Sequence, residues 1–291
     1  MRDFTEYKQF LDHLKLIFKI KEECRELGKS ELFTTNDVRN TFYSQIMNVI
    51  NDYYFGMLSP FFITRLDKPF RDGVLRPYFT NLDENDLFSN LGFLCEEGYL
   101  KTWIELKKVS LVYNLWIVFE DSIDLIYNRV ISDQDKELYL NSNFNRIEKI
   151  INGKLSEAEI HEVKTKLKST YISINNKYNF ILKSLDLEKN QIKQLSEIRE
   201  FLQFFNIMRN TLHNNSRPMK NYKFSLKMGE FKFERDKHID FFTYDVILES
   251  IEKFVSIFNL IRENLNFNEE IFNPVSNINK SGEYPQKCFL I

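Results

Sequence analysis

The residue pattern predicts an all-α fold, a helical bundle with a small β-hairpin inserted before the last long helix. Three observations carry this. The 291 residues include only eight Gly and six Pro, so few breakers interrupt the elements. Apolar side chains recur at three- and four-residue intervals over most of the chain, the spacing that lines one face of a helix. In one short window that interval drops to two, the period of a strand.

Taken in order, Phe4, Tyr7, Phe10, Leu11, Leu14, Ile17 and Phe18 form one apolar stripe, and Gly28 closes the first helix. Thr35-Asn36-Asp37 supplies cap chemistry for a second helix, which carries Val38, Phe42, Ile46, Val49, Ile50 and Tyr53 to about Gly56. Residues 59–98 hold Pro60, Pro69, Gly73, Pro77, Gly92 and Gly98, and short helices and loops are expected there. From Leu100 to Val130 the apolar positions cover more than one face, from Trp103 through Val112, Trp116 and Phe119 to Ile126, as in a central helix.

Two further helices are expected after Asn141-Ser142-Asn143 and Asn152-Gly153. The second opens at Ser156, where Glu159 completes a capping box, and continues past Tyr171, Ile174 and Tyr178 to about Leu185. The next spans Gln191 to about His213. Tyr222–Lys227 and Phe231–Glu234 alternate apolar and polar residues around a turn at Met228-Gly229-Glu230, which predicts the hairpin over 222–235. Helical spacing resumes from Phe241 to about Leu265, and a tail follows. The domain reading is an N-terminal helical region of unassigned role over 1–99, a helical bundle over 100–266 and a tail over 267–291.

Composition narrows the function. A 43% hydrophobic content with 28 Phe and 14 Tyr supplies a substantial core and excludes disorder over most of the length. With 40 basic and 42 acidic side chains the net charge is -2, unlike a general nucleic-acid coat, which needs a cationic surplus. One local basic cleft remains compatible with this balance. The three cysteines Cys24, Cys95 and Cys288 form no CxxC pair and no even framework. No apolar run reaches membrane-spanning length, and the charged start Met1-Arg2-Asp3 is unlike a signal peptide. A reduced, cytoplasmic protein without membrane contact is expected.

One motif carries pointed chemistry: Arg209-Asn210-Thr211-Leu212-His213 at the end of a long helix. Residues four apart on a helix are separated by about 40° around the axis and about 6 Å along it, so Arg209 and His213 share a face. Arg is a permanent cation whose fork of donors suits phosphate, and His exchanges a proton near neutral pH. Together they could remove a ribose 2′-hydroxyl proton and hold charge growing on a phosphate, with no metal or cofactor. The same residues also suit a helix C-terminus, where cations complement the dipole and Asn214-Asn215 can end the helix in a left-handed turn.

Arg209-Asn210 followed by His213 resembles the active-site motif of HEPN ribonucleases, helical proteins of bacterial antiviral and toxin systems. The resemblance covers roughly residues 100–266. The family pattern usually leaves a longer interval, and here three residues separate Arg from His. The resemblance implies a metal-independent endoribonuclease in which His213 is general base or acid, Arg209 clamps the phosphate and Asn210 positions it. It further implies that Glu120, in Phe119-Glu120, orients the pair. Two protomers usually share one site, so RNA is the expected substrate, a homodimer the expected assembly, and an activating partner protein an additional possibility. The alternative is a noncatalytic dimerisation, partner- or nucleotide-binding module of the same fold.

Other candidates are plainer. His13, His161 and His238 read as surface residues, and Glu120, Asp121 and Asp124 lack a spaced His or Cys to complete a metal set. The Trp and Phe stripes read as core. Cys288-Phe289-Leu290-Ile291 formally fits a prenylation box, without a polybasic stretch upstream.

Overall fold

The computed structural model describes residues 4–65, 97–138, 156–161, 172–239 and 242–274. The expected loops of 66–96, the helix expected after Asn143, and the terminal Cys288 box lie outside these residues. Among the described residues the chain is largely helical, with one antiparallel hairpin. The longer elements are α1 (Phe4–Gly28), α2 (Val38–Arg65), α3 (Glu97–Val130), α4 (Ile174–Ser184), α5 (Lys189–His213), β1 (Tyr222–Leu226), β2 (Gly229–Phe233) and α6 (Tyr244–Asn264). No described helix is long and apolar enough to cross a membrane.

The centre is α3. Leu111, Val112, Leu115, Trp116, Phe119, Ile123 and Ile126 are all buried on it, and it packs against α2, α4, α5 and α6. An apolar surface wrapping most of a helix can be buried only by several neighbours at once, which is why this one took the middle. One continuous apolar cluster runs from Leu14 of α1 to Ile271, so the helices of 1–99 share their core with those of 100–266. Phe254 of α6 sits among the rings of Trp116, Phe119, Phe201 and Phe205, and ties α3, α5 and α6 together. The hairpin docks through Phe224, Phe231 and Phe233, all against Phe204 of α5.

Several boundaries differ from the pattern-based expectation. Helix α2 continues through Gly56 and Pro60 to Arg65. Pro60 has no N–H for the carbonyl four residues earlier, that of Gly56. Trp103 Nε1 donates to this oxygen at 2.7 Å and Ser59 Oγ at 3.1 Å, so the helix crosses the proline without an orphaned acceptor. The Ser156 capping box forms, with the Ser156 N–H on Glu159 Oε2 at 2.8 Å, but the helix does not run unbroken to Leu185: Ser173 is extended and α4 starts afresh after it. The hairpin turn falls on Lys227-Met228, one residue earlier than expected. Gly229 already pairs with Leu226 at φ +137°, a backbone that favours glycine.

The segment after α6 begins as structure. Arg39, at 1% exposure, grips the carboxylate of Asp37, also 1% exposed, through Nε to Oδ1 at 2.9 Å and Nη2 to Oδ2 at 2.7 Å. Its remaining donors reach the carbonyls of Phe267 and Glu269, and Asp37 Oδ2 accepts the Ile271 N–H at 2.9 Å. A buried ion pair is tolerable when its spare donors and acceptors are filled, and this one fills them with the backbone of 267–271.

His13 is a correction: it is buried at 5% exposure. Its Nε2 meets Tyr53 Oη at 3.3 Å and its ring lies 4.5 Å from that of Tyr244. His161 and His238 are exposed. Burial, aided by the Lys108 ammonium, lowers the His13 pKa to about 4. In the unfolded chain the imidazole binds a proton near its ordinary 6.5, so its neutral burial costs nothing above that pH. The folded state loses stability as pH falls from about 6.5 toward 4, by on the order of 3 kcal/mol for this group. His13→Asn removes the titration. Urea midpoints at pH 7 and pH 4.5 should fall markedly more for the wild type than for the variant, and equal falls would exclude this role for His13.

Candidate active site

The motif lies where α5 passes α3. Over the last turn of α5, Met208 and Thr211 face the core while Arg209, Asn210 and His213 are outward or half-buried. The helix then stops: the Asn214 N–H bonds the carbonyls of Asn210 and Thr211, and Asn215 and Ser216 take left-handed φ of 52° and 59°. Asn214 Nδ2 reaches the Arg217 carbonyl at 2.8 Å and the Ile239 N–H reaches the Ser216 carbonyl at 3.2 Å, which fixes the exit. Asn is among the few residues that visit this backbone region at low cost. Asn215→Val should lower stability by about 1–2 kcal/mol, read as a drop in thermal midpoint, while Asn215→Gly should hold or raise it. A neutral valine variant would contradict the assigned backbone.

Helix α3 supplies the other side. Tyr113 Oη lies 2.8 Å from His213 Nε2, and the two rings meet edge to face with centroids 5.3 Å apart. Two turns further on, Glu120 Oε2 lies 3.9 Å from Arg209 Nη2, an ion pair too long for a hydrogen bond. The buried Trp116 donates from Nε1 to the same Glu120 oxygen at 2.9 Å and so fixes the carboxylate. Arg209 Nη1 also donates to Asn210 Oδ1 at 3.1 Å. The structure thus joins three of the four residues singled out in the sequence, Arg209, Asn210 and Glu120, whereas His213, one turn further along α5, contacts Tyr113 instead.

Tyr113 and Trp116 were missed by sequence reading. Their three- and four-residue spacing with Glu120 placed them in the apolar stripe of α3, and nothing in that stripe distinguishes an aromatic side chain whose polar atom finds a partner.

The arrangement is open and incompletely filled. His213 is exposed, and its Nδ1 makes no hydrogen bond to a described residue. Arg209 is 34% exposed along its side chain, whereas its Nε is buried and has no hydrogen-bond partner among the described residues, so only the two terminal nitrogens can meet a ligand. A guanidinium held by one hydrogen bond and one long ion pair keeps donors for an anion. The acidic run divides its partners: Glu120 faces Trp116 and Arg209, whereas Asp124 takes Lys177 Nζ at 2.9 Å. Among the described residues no group of three His, Cys, Asp or Glu side chains is arranged to hold a metal ion.

No family model, curated protein or solved structure matches the chain.

Proposed function

We propose that this chain is a metal-independent endoribonuclease of the HEPN type, an effector of antiviral or toxin character acting in the cytoplasm. The observation that supports it best is the double pairing across α3 and α5, Tyr113 with His213 and Glu120 with Arg209, on one open helix end. In the proposed reaction His213 takes the proton of a ribose 2′-hydroxyl, and the 2′-oxygen attacks the adjacent phosphorus. The bond to the 5′-oxygen breaks, and that oxygen leaves with a proton from an imidazolium. Arg209 neutralises the phosphate oxygens as charge grows on them, and Asn210 adds a neutral donor. Glu120 steadies the guanidinium and Tyr113 the imidazole, as positioning residues. The products are a 2′,3′-cyclic phosphate and a 5′-hydroxyl.

One chain carries one Arg and one His of this motif, so the reading includes a homodimer in which a second copy supplies the acid opposite the base.

A noncatalytic module is favoured by one specific observation: Arg209 and His213 both contact side chains of α3, as residues that only join two helices would. Bulk RNA with the purified protein in excess EDTA separates the two readings. The nuclease reading expects cleavage, lowered roughly 10²–10⁴-fold in His213→Ala and Arg209→Ala while thermal midpoints stay close to wild type. Tyr113→Phe should lower kcat with KM little changed, since it frees the ring without touching substrate. Absence of cleavage by the wild type, or cleavage untouched by both alanine variants, would favour the module.

A further inference from the structure

A second feature opens on the face of α3 turned toward α2. Between α2 and α3 lies a cleft of about 450 Å³. Its wall is built by the proline device of α2. Pro60 frees the Gly56 carbonyl, Trp103 plugs it, and the Lys107 stem lies across the bare Gly56 Cα with its ammonium 4.6 Å from the centre of the Trp103 ring. A Cβ on Gly56 would stand 2.7 Å from Lys107 Cδ, so only glycine leaves room for the lysine there. Glycine inside a helix costs about 0.5–1 kcal/mol relative to alanine. At the rim Phe55 is 67% exposed, a large ring with little reason to face water in a folded chain.

The cleft approaches the candidate active site at one point, where Asn114 and Tyr113 are neighbours on α3. Leu106, Ser110 and Asp121 form the exposed stripe of α3, with Tyr113 and Asn114 half-buried along it. Ser110 and Asn114 line the cleft, whereas Tyr113, the residue beside Asn114, holds His213. Neighbouring residues on a helix differ by about 100° around the axis and 1.5 Å along it, so the Asn114 end of the cleft stands level with the Tyr113 contact, across the stripe from it, while Lys107 and Trp103 lie further toward the start of α3.

We propose that the α2–α3 cleft is a nucleotide subsite for single-stranded RNA, taking a nucleotide of the same strand a short way from the one cut. This rests on the nuclease reading above. The base stacks on Phe55, the Lys107 ammonium meets a backbone phosphate, and Ser110 and Asn114 offer hydrogen bonds along the stripe. Asp52, also in the lining, is an acceptor for ribose hydroxyls and opposes binding of a bare phosphate. A flat apolar ring beside a fixed cation is the usual kit for holding single strands without base-edge readout.

The test uses the full chain as His213→Ala, so that nothing is cut, with a fluorescent single-stranded oligouridylate followed by anisotropy at low salt. Phe55→Ala and Lys107→Ala, both at the protein surface, should each weaken binding by about tenfold, in line with stacking or one phosphate contact. Gly56→Ala should weaken it as well, by displacing the lysine, while its circular dichroism stays unchanged. Absence of binding by His213→Ala, or unchanged affinity in both Phe55→Ala and Lys107→Ala, would overturn the subsite. Binding that depends on the cleft, beside a wild type that never cuts RNA, would leave the subsite standing and remove the nuclease. Cleavage with KM unchanged in Phe55→Ala and Lys107→Ala would do the reverse.

Discussion

The packing of α3 against α5 is the constraint on which the rest depends. One helix is buried by four neighbours, and that burial fixes its rotation. Once Trp116 and Phe119 are committed to the core with Phe254, Tyr113 and Glu120 have no choice of direction: they emerge at the edge facing α5. There the last two turns of α5 present Arg209 and His213. Neither polar contact is strong alone, since one is a single hydrogen bond at a half-open position and the other an ion pair at 3.9 Å. Their geometry is a by-product of aromatic packing, which is a far stiffer source of precision.

A second lock acts at the far end of the bundle. Arg39 and Asp37 are almost wholly removed from water, and the backbone after α6 completes their coordination. The start of α2 and the end of α6 are thereby joined, so the first two helices are held in the same body as the helices bearing the motif. Removing either charge would strand the other, which typically costs about 3–5 kcal/mol.

Much of the helical architecture was legible because it is written in period. The central place of α3 followed from its apolar coverage, and the hairpin from the switch to alternation in 222–234. Harder to see were features that depend on partners distant in sequence. Helix α2 outruns its expected end because Trp103, more than forty residues away, satisfies the carbonyl that Pro60 abandons. His13 looked like one more polar residue among lysines and glutamates, and only the docking of Tyr53 and Tyr244 encloses it. The same holds at the candidate site. Arg209 and His213 stand out because their spacing is local to one helix, and the resemblance they carry pointed to Glu120. Tyr113 was hidden, because its hydrogen bond spans a hundred residues and its own neighbourhood reads as oil.

In the proposed function Arg209 and His213 cut RNA through the ribose 2′-oxygen. The most direct measurement is the chemistry of the ends left on RNA incubated with the wild-type protein in EDTA. Attack by the 2′-oxygen leaves 2′,3′-cyclic phosphates and 5′-hydroxyls at every cut. Fragments ending in 3′-hydroxyls and 5′-phosphates, or RNA left whole, would contradict it.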